Sequence, residues 1–345
     1  MIGALLGSLA LAGTMFLPAQ APAEAAGLGR WLDVQTGTLS VRHRAVSNSA
    51  DVWTANQLQY AGQIRARVKA DRGARLTLNV LYATGNNFIG SWNNTGIGTG
   101  DFAGAWALKH LFIAWVPAAG VELGYGSLGL ARGAGTEITT YDNDAFMPGE
   151  RVTLRRPKDL FFHEITATRG YIGDLSTASV LDRFDRVTGG RNYYQLLVSK
   201  TAGAVTMSGD YSRLSGVPWV RVAASVKTPA LGVIDTVRIE TYARFGDDDA
   251  RGFSVFGENA IGSRVTAGAG YADVDPRYPA INADRFMRGK RLYVSGSATL
   301  TRELTAQLFA TAAVNNRFTI PSARRVDAVL VYNVLGRLQR AGWLN

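Results

Sequence analysis

Polar and apolar positions alternate with a period of two along most of the chain. Gln57, Gln59, Gln63, Arg65, Arg67 and Lys69 share one parity, and Leu58, Tyr60, Ile64, Ala66 and Val68 share the other. An alternating run of about thirteen residues exceeds the usual soluble strand and suits one that crosses a bilayer at a tilt. Asp71-Arg72-Gly73-Ala74 supplies a turn, after which Leu76, Leu78, Val80 and Tyr82 alternate with Arg75, Thr77 and Asn79, so the two runs predict a hairpin. The pattern returns in Val220 to Lys227, Val237 to Arg244, Val265 to Tyr271, Leu292 to Leu300, Leu304 to Val314 and Ala328 to Val334. No comparable amphipathic helix is predicted. No stretch after Ala25 reaches the ~18–20 consecutive apolar residues of a membrane-spanning helix, which excludes a helical membrane protein.

Connections alternate in length. Short ones fall at residues 71–74, 117–120, 156–159, 201–203, 228–235, 258–262 and 301–303, and longer polar or glycine-rich ones at 85–104, 131–149, 174–190, 273–290 and 315–324. Residues 212–217 and 246–251 are brief exceptions to the long set. Starting near Thr38 to Arg44 and ending near Val326 to Leu335, the tally predicts an all-β chain forming a transmembrane antiparallel barrel of about sixteen strands, within roughly fourteen to eighteen. A secreted sandwich has no reason to keep long strands with short and long connections in alternation. A small barrel of about eight strands would leave roughly 40 residues per strand and cannot absorb so many turns.

The first residues read as an address. Ile2 to Leu17 is apolar and is followed by Ala19-Gln20-Ala21 and Ala23-Glu24-Ala25, so residues 1–25 are expected to be a signal peptide and 26–345 the barrel. No Lys or Arg precedes Arg30, so the usual basic start is missing. The chain has no cysteine, which excludes disulfide scaffolds, zinc clusters and thiol catalysis. Its 37 cationic residues include six lysines and therefore 31 arginines, against 27 acids, for a net charge of +10. Loss of Glu24 with the signal raises that to +11.

In a membrane barrel the apolar parity meets lipid and the other meets the lumen. That places Arg42, Arg44, Arg65, Arg67, Lys69, Arg75, Arg221, Lys227, Arg238 and Arg244 inward as pore-lining candidates. About sixteen strands leave a lumen wide enough for water, and an arginine-lined aqueous tube favours anions. Residues 131–150, the expected third external loop, carry Glu137, Asp142, Asp144 and Glu150. Folded into the lumen, such an acidic loop would narrow the pore and set a transverse field. Trp106, Trp115 and Trp219 lie near predicted strand ends and suit interfacial girdles. Asp247-Asp248-Asp249 reads as a solvated loop tip. His43, His110 and His163 are the available bases, but no Gly-x-Ser-x-Gly or His-Glu-x-x-His motif accompanies them, so no enzyme, catalytic residue, metal or cofactor is expected. Nucleic acid is not expected either, for lack of a basic helix or patch.

Together these features resemble the bacterial porins, and the many inward arginines are similar to the alginate-export type of barrel. The resemblance implies an outer-membrane channel for passive diffusion of small hydrophilic solutes, surrounded by membrane lipids and lipopolysaccharide, and leaves open whether it is a monomer or a homotrimer. Export or uptake of acidic oligosaccharides, or a closed structural or adhesive barrel, are the alternatives it leaves open. One departure is the C-terminus: such barrels commonly end in an aromatic residue closing the last strand, whereas here Val326 to Leu335 is followed by Gly336 to Asn345, with Trp343 two residues from the end.

Overall fold

The computed structural model describes residues 30–341, apart from 49, 88–89, 134–144, 156–160, 174–175, 187–189, 229–233, 247–248, 276, 278–288 and 315–322. The expected signal peptide lies outside the described residues, as do Glu137, Asp142, Asp144, Asp247, Asp248 and Trp343. Seventeen strands form one antiparallel sheet: β1 (Leu32–Ser47), β2 (Trp53–Lys69), β3 (Leu76–Thr84), β4 (Asn93–Gly98), β5 (Trp106–Ala118), β6 (Val121–Gly129), β7 (Phe146–Leu154), β8 (Glu164–Gly170), β9 (Tyr193–Ala202), β10 (Val205–Leu214), β11 (Val217–Lys227), β12 (Thr236–Arg244), β13 (Ala250–Ile261), β14 (Val265–Val274), β15 (Gly289–Thr299), β16 (Leu304–Ala313) and β17 (Arg324–Asn333). Strand β1 pairs with both β2 and β17, closing a sixteen-stranded barrel from which β4 alone is left out.

The barrel follows from the alternation. Along β2 and β3, Ile64, Val68, Leu76, Leu78 and Tyr82 are exposed, while Thr77, Asn79, Leu81 and Ala83 on the other parity are buried. The same division holds on β11, where Val222 is exposed and Arg221 and Ala223 are buried, and on β15, where Leu292 and Val294 are exposed and Arg291 and Tyr293 are buried. A ring whose outer face is apolar and whose inner face carries charge is the arrangement of a transmembrane barrel. Closure gives each of the sixteen wall strands a neighbour on both sides.

Strand β4 was not anticipated within the 85–104 connection. It pairs with the upper half of β2, through Gln57, Gln59 and Tyr60, while the lower half of β2 pairs with β3 and β3 passes directly to β5. Gly98 permits this approach, because its φ of +86° suits glycine and a Cβ there would strike the Asn56 carbonyl. The last strand also begins and ends two residues earlier than expected. Asn333 ends β17 and caps a helix α1 (Val334–Arg340), its side chain accepting from the Gly336 N–H at 2.9 Å. Leu335 of α1 is buried against Gly37 of β1, and Arg340 pairs with Glu303 in the β15–β16 turn. The helix therefore bridges both neighbours of β17 beneath the seam.

Inward side chains change in exposure along the barrel axis. On β11 they run from buried Trp219, Arg221 and Ala223, at the end with long loops, to exposed Lys227 at the end with short turns. On β9, buried Tyr193, Gln195 and Leu197 give way to exposed Thr201. The interior thus opens as a vestibule on the short-turn side and is filled toward the long-loop side. There Ala145, Phe146, Met147, Ile172, Val180, Tyr193 and Trp219 form a core that joins the β6–β7 and β8–β9 connections to the wall. Trp219 faces inward in this core, tilted against Tyr193 at 6.5 Å, and is not an interfacial girdle residue. Trp106 and Trp115 are half-exposed on the outer face, with Trp106 stacked on Tyr82 at 5.4 Å.

Candidate functional site

The interior wall carries its densest positive charge on neighbouring strands. Arg291 of β15, Arg325 of β17, Arg42 and Arg44 of β1, and Arg65 and Arg67 of β2 all lie on the inward parity. Asp327 of β17 sits among them, 1% exposed. Arg44 holds it with two hydrogen bonds of 2.9 and 3.0 Å, Arg325 donates from Nε at 2.9 Å, and the Arg42 guanidinium is 3.8 Å away. Arg42 also donates to Gln59 Oε1 at 2.9 and 2.6 Å and lies 4.1 Å from the centre of the Trp92 ring. Gln59 in turn donates to Asn94 at 2.7 Å. Trp92 and Asn94 belong to the β3–β5 connection, so this loop is stapled to the basic sector.

Elsewhere several inward cations have acids close by. Arg221 pairs with Asp210 of β10 at 2.9 Å with both groups buried, and Arg238 pairs with Glu258 of β13 at 3.3 Å. Arg244 donates to the Arg277 carbonyl at 2.6 Å, which ties the β14–β15 connection to β12. Arg155 lies between Glu164 at 2.8 Å and Glu122 at 3.6 Å. Arg67 reaches Asn79 at 3.3 Å. Lys69 and Lys227 end their strands on the short-turn side, and Arg75 is exposed in the turn before β3, so these three stand at the vestibule mouth.

Of the ten pore-lining candidates, Arg42, Arg44, Arg65 and Arg67 are brought together, while Arg221, Lys227, Arg238 and Arg244 occupy β11 and β12 across the ring. Sequence reasoning missed Arg291, Arg325 and Arg151 on the cationic side, and Asp210, Glu240 and Asp327 among the inward acids. The parity of Leu292 and Val294 was sufficient to place Arg291. Glu150, expected in the third loop, lies on β7 and faces outward beside Val152, because the strand begins at Phe146 and runs through Pro148 and Gly149.

The chain leaving β6 enters the barrel. Gln195, inward on β9, donates to the Ala131 carbonyl at 3.1 Å, and Gly133 lies so close to inward Ser208 of β10 that a Cβ would collide with it. Strands β9 and β10 stand half-way round the ring from β1, so this segment rests on the wall opposite the basic sector.

The three histidines are dispersed. His43 faces outward and contacts Asn56 at 2.5 Å, His110 is buried in the wall of β5, and His163 precedes β8 at the short-turn end. Among the described residues, no three His, Cys, Asp or Glu side chains are grouped to hold a metal ion.

The sequence matches no protein-family model, and no curated protein matches it. Solved structures do share the fold. The chain is similar to OmpF of Salmonella typhi, in a complex with daunomycin, at a TM-score of 0.57 and 10% identity, covering 88% of this chain and 98% of that one. A mutant of the Rhodopseudomonas blastica porin gives 0.55 and 11%, covering 88% and 99%. A loop-deletion mutant of OmpT, an outer-membrane protein of Vibrio cholerae, gives 0.54 and 10%, covering 87% and 98%. The chain therefore has the sixteen-stranded porin fold.

Proposed function

We propose that the protein is an outer-membrane channel for small hydrophilic solutes, with a preference for anions. The observation that carries this reading is the sector Arg291, Arg325, Arg42, Arg44, Arg65 and Arg67, in which Asp327 is shared by three arginines and Asp33 of β1 stands opposite Arg67. An aqueous path past Arg44, Arg65 and Arg67, the partly exposed members of the sector beside buried Arg42, Arg291 and Arg325, lowers the energy of an anion and raises that of a cation. The vestibule on the short-turn side faces the periplasm, and the loop that enters at Ala131 to Gly133 supplies the opposite side of the constriction. Glu137, Asp142 and Asp144 would then face the arginines and steer dipolar solutes across the path. The daunomycin complex of OmpF shows only that one barrel of this fold accepts a small organic molecule.

The test is planar-bilayer recording across a potassium chloride gradient. A reversal potential on the chloride side, moved toward zero by R65Q/R67Q, supports the reading. A silent protein would place it among structural barrels. Conduction that prefers potassium would remove the role given to the arginine sector.

A further inference from the structure

A row of side chains on the outer face of β7 to β10 has no part in permeation. Pairing sets Glu150 opposite Arg169, Arg169 opposite Tyr194, and Tyr194 opposite Arg213. All four point away from the lumen, since their neighbours Thr168, Gln195 and Ser212 are the buried inward residues. They lie at the long-loop end of their strands. The next outward row toward the barrel's middle is apolar, with Val152, Ala167, Leu196 and Tyr211 in successive register.

The charge in this row is unbalanced. Glu150 is shared between Arg169 at 2.5 Å and Arg191 at 2.8 Å, and Arg213 adds a third cation two strands from Arg169. Two other outward cations at this end are matched one to one, Lys290 with Asp273 at 3.8 Å and Arg324 with Asp51 at 3.2 Å. Arg169 and Arg213 are exposed, and Tyr194 between them is 42% exposed. Adjacent strands lie ~4.8 Å apart, so the backbone positions of Arg169 and Arg213 stand about 10 Å apart on either side of Tyr194, with Arg169 Nε on Glu150 and Arg213 Nε donating to the Gly216 carbonyl at 3.2 Å. Guanidinium is the side chain best shaped to take phosphate oxygens in pairs, and tyrosine partitions to the interface between hydrocarbon and headgroups.

We propose that Arg169, Tyr194 and Arg213 form a binding site for the phosphorylated headgroup of an outer-leaflet lipid whose acyl chains lie along Val152, Leu196 and Tyr211. The site rests on the reading of the barrel as membrane-embedded and adds a specific lipid contact to it. An arginine near an anionic bilayer surface contributes about fivefold to affinity, so removing two costs about thirtyfold.

The experiment uses the folded chain in neutral detergent and follows the temperature at which the compact barrel converts to the unfolded band in dodecyl sulfate gels. Diphosphoryl lipid A is expected to raise that temperature, and R169A/R213A is expected to need about thirtyfold more lipid for the same rise. R169K/R213K should recover part of the effect, and R251A, an outward arginine on β13, should behave as the unaltered protein. The proposal is overturned if dephosphorylated lipid A stabilises equally, if inorganic phosphate alone reproduces the rise, or if the double variant responds normally. A shift of R169A/R213A to a smaller assembly without lipid would assign the row to contact between copies and also overturn it. Bilayer conductance of R169A/R213A should be unchanged, so loss of the lipid effect with retained conductance separates this site from the channel reading.

Discussion

Replacing Asp327 by asparagine removes the carboxylate that three inward arginines share while keeping the size of the side chain. At 1% exposure the group is out of reach of solvent screening, so the discount that applies to surface pairs does not apply here. The carboxylate accepts from Arg44 at 2.9 and 3.0 Å and from Arg325 Nε at 2.9 Å, each a charge-assisted bond of about 1.5–3 kcal/mol. These bonds do not add, because they end on one group. Breaking a buried pair from one side costs ~3–5 kcal/mol, since it leaves cations without their counter-charge. D327N is therefore expected to lose about that much in equilibrium urea unfolding of the barrel in micelles or lipid. R44Q, which leaves Asp327 its bonds to Arg325, should lose less. A loss below about 1 kcal/mol for D327N would refute the reasoning, showing that the arginines are already solvated or balanced by other groups.

The remaining predictions concern different parts of the barrel. Cysteine at Lys227 should react quickly with a membrane-impermeant thiol reagent added from the short-turn side, whereas cysteine at Ala223, 3% exposed on the same strand, should react much more slowly; equal rates would mean that the interior does not fill toward the loops. Leu335→Ala should cost ~1–2 kcal/mol by uncovering the contact between α1 and Gly37, read as a lower unfolding midpoint, and no change would make the helix a passive tail. The Asp71 carboxylate is held below its ordinary range first by the backbone N–H of Arg75 and then by that of Leu76, so its support for the β2–β3 turn is present above the ordinary carboxylate pKa and fades as pH falls through the depressed value. Amide exchange at Arg75 and Leu76, corrected for the intrinsic rate, should accelerate in acid and in D71A at neutral pH, and protection that persists in D71A would show that the carboxylate does not hold the turn.

The barrel is legible in the sequence because membrane and lumen impose opposite demands on adjacent residues, and Leu76 to Tyr82 or Val220 to Lys227 record that demand directly. Where residue type and parity disagreed, parity was the better guide. Trp219 lies beside outward Val220 and so faces inward, despite being a tryptophan near a strand end. Glu150 follows Pro148-Gly149, a pair that signals a loop, yet those residues pair with Ser127 and Gly126 of β6 within the strand. Strand β4 was hidden because Asn93-Asn94-Thr95-Gly96-Ile97-Gly98 has no alternation and is held by side-chain amides and glycine geometry. The inward acids were missed for another reason. Asp210 and Asp327 acquire meaning only when β10 meets β11 and β17 meets β1, and those pairings are not local in sequence for the second case.

The account rests on β12 and its neighbours having one face in lipid and one in the lumen. Single spin labels at successive positions from 236 to 244, in protein reconstituted into bilayers, measure contact with dissolved oxygen, which concentrates in hydrocarbon. High oxygen contact at 237, 239, 241 and 243 and low contact at 236, 238, 240 and 242 is the predicted result. Contact that is uniform, or that repeats every three to four residues, would contradict it.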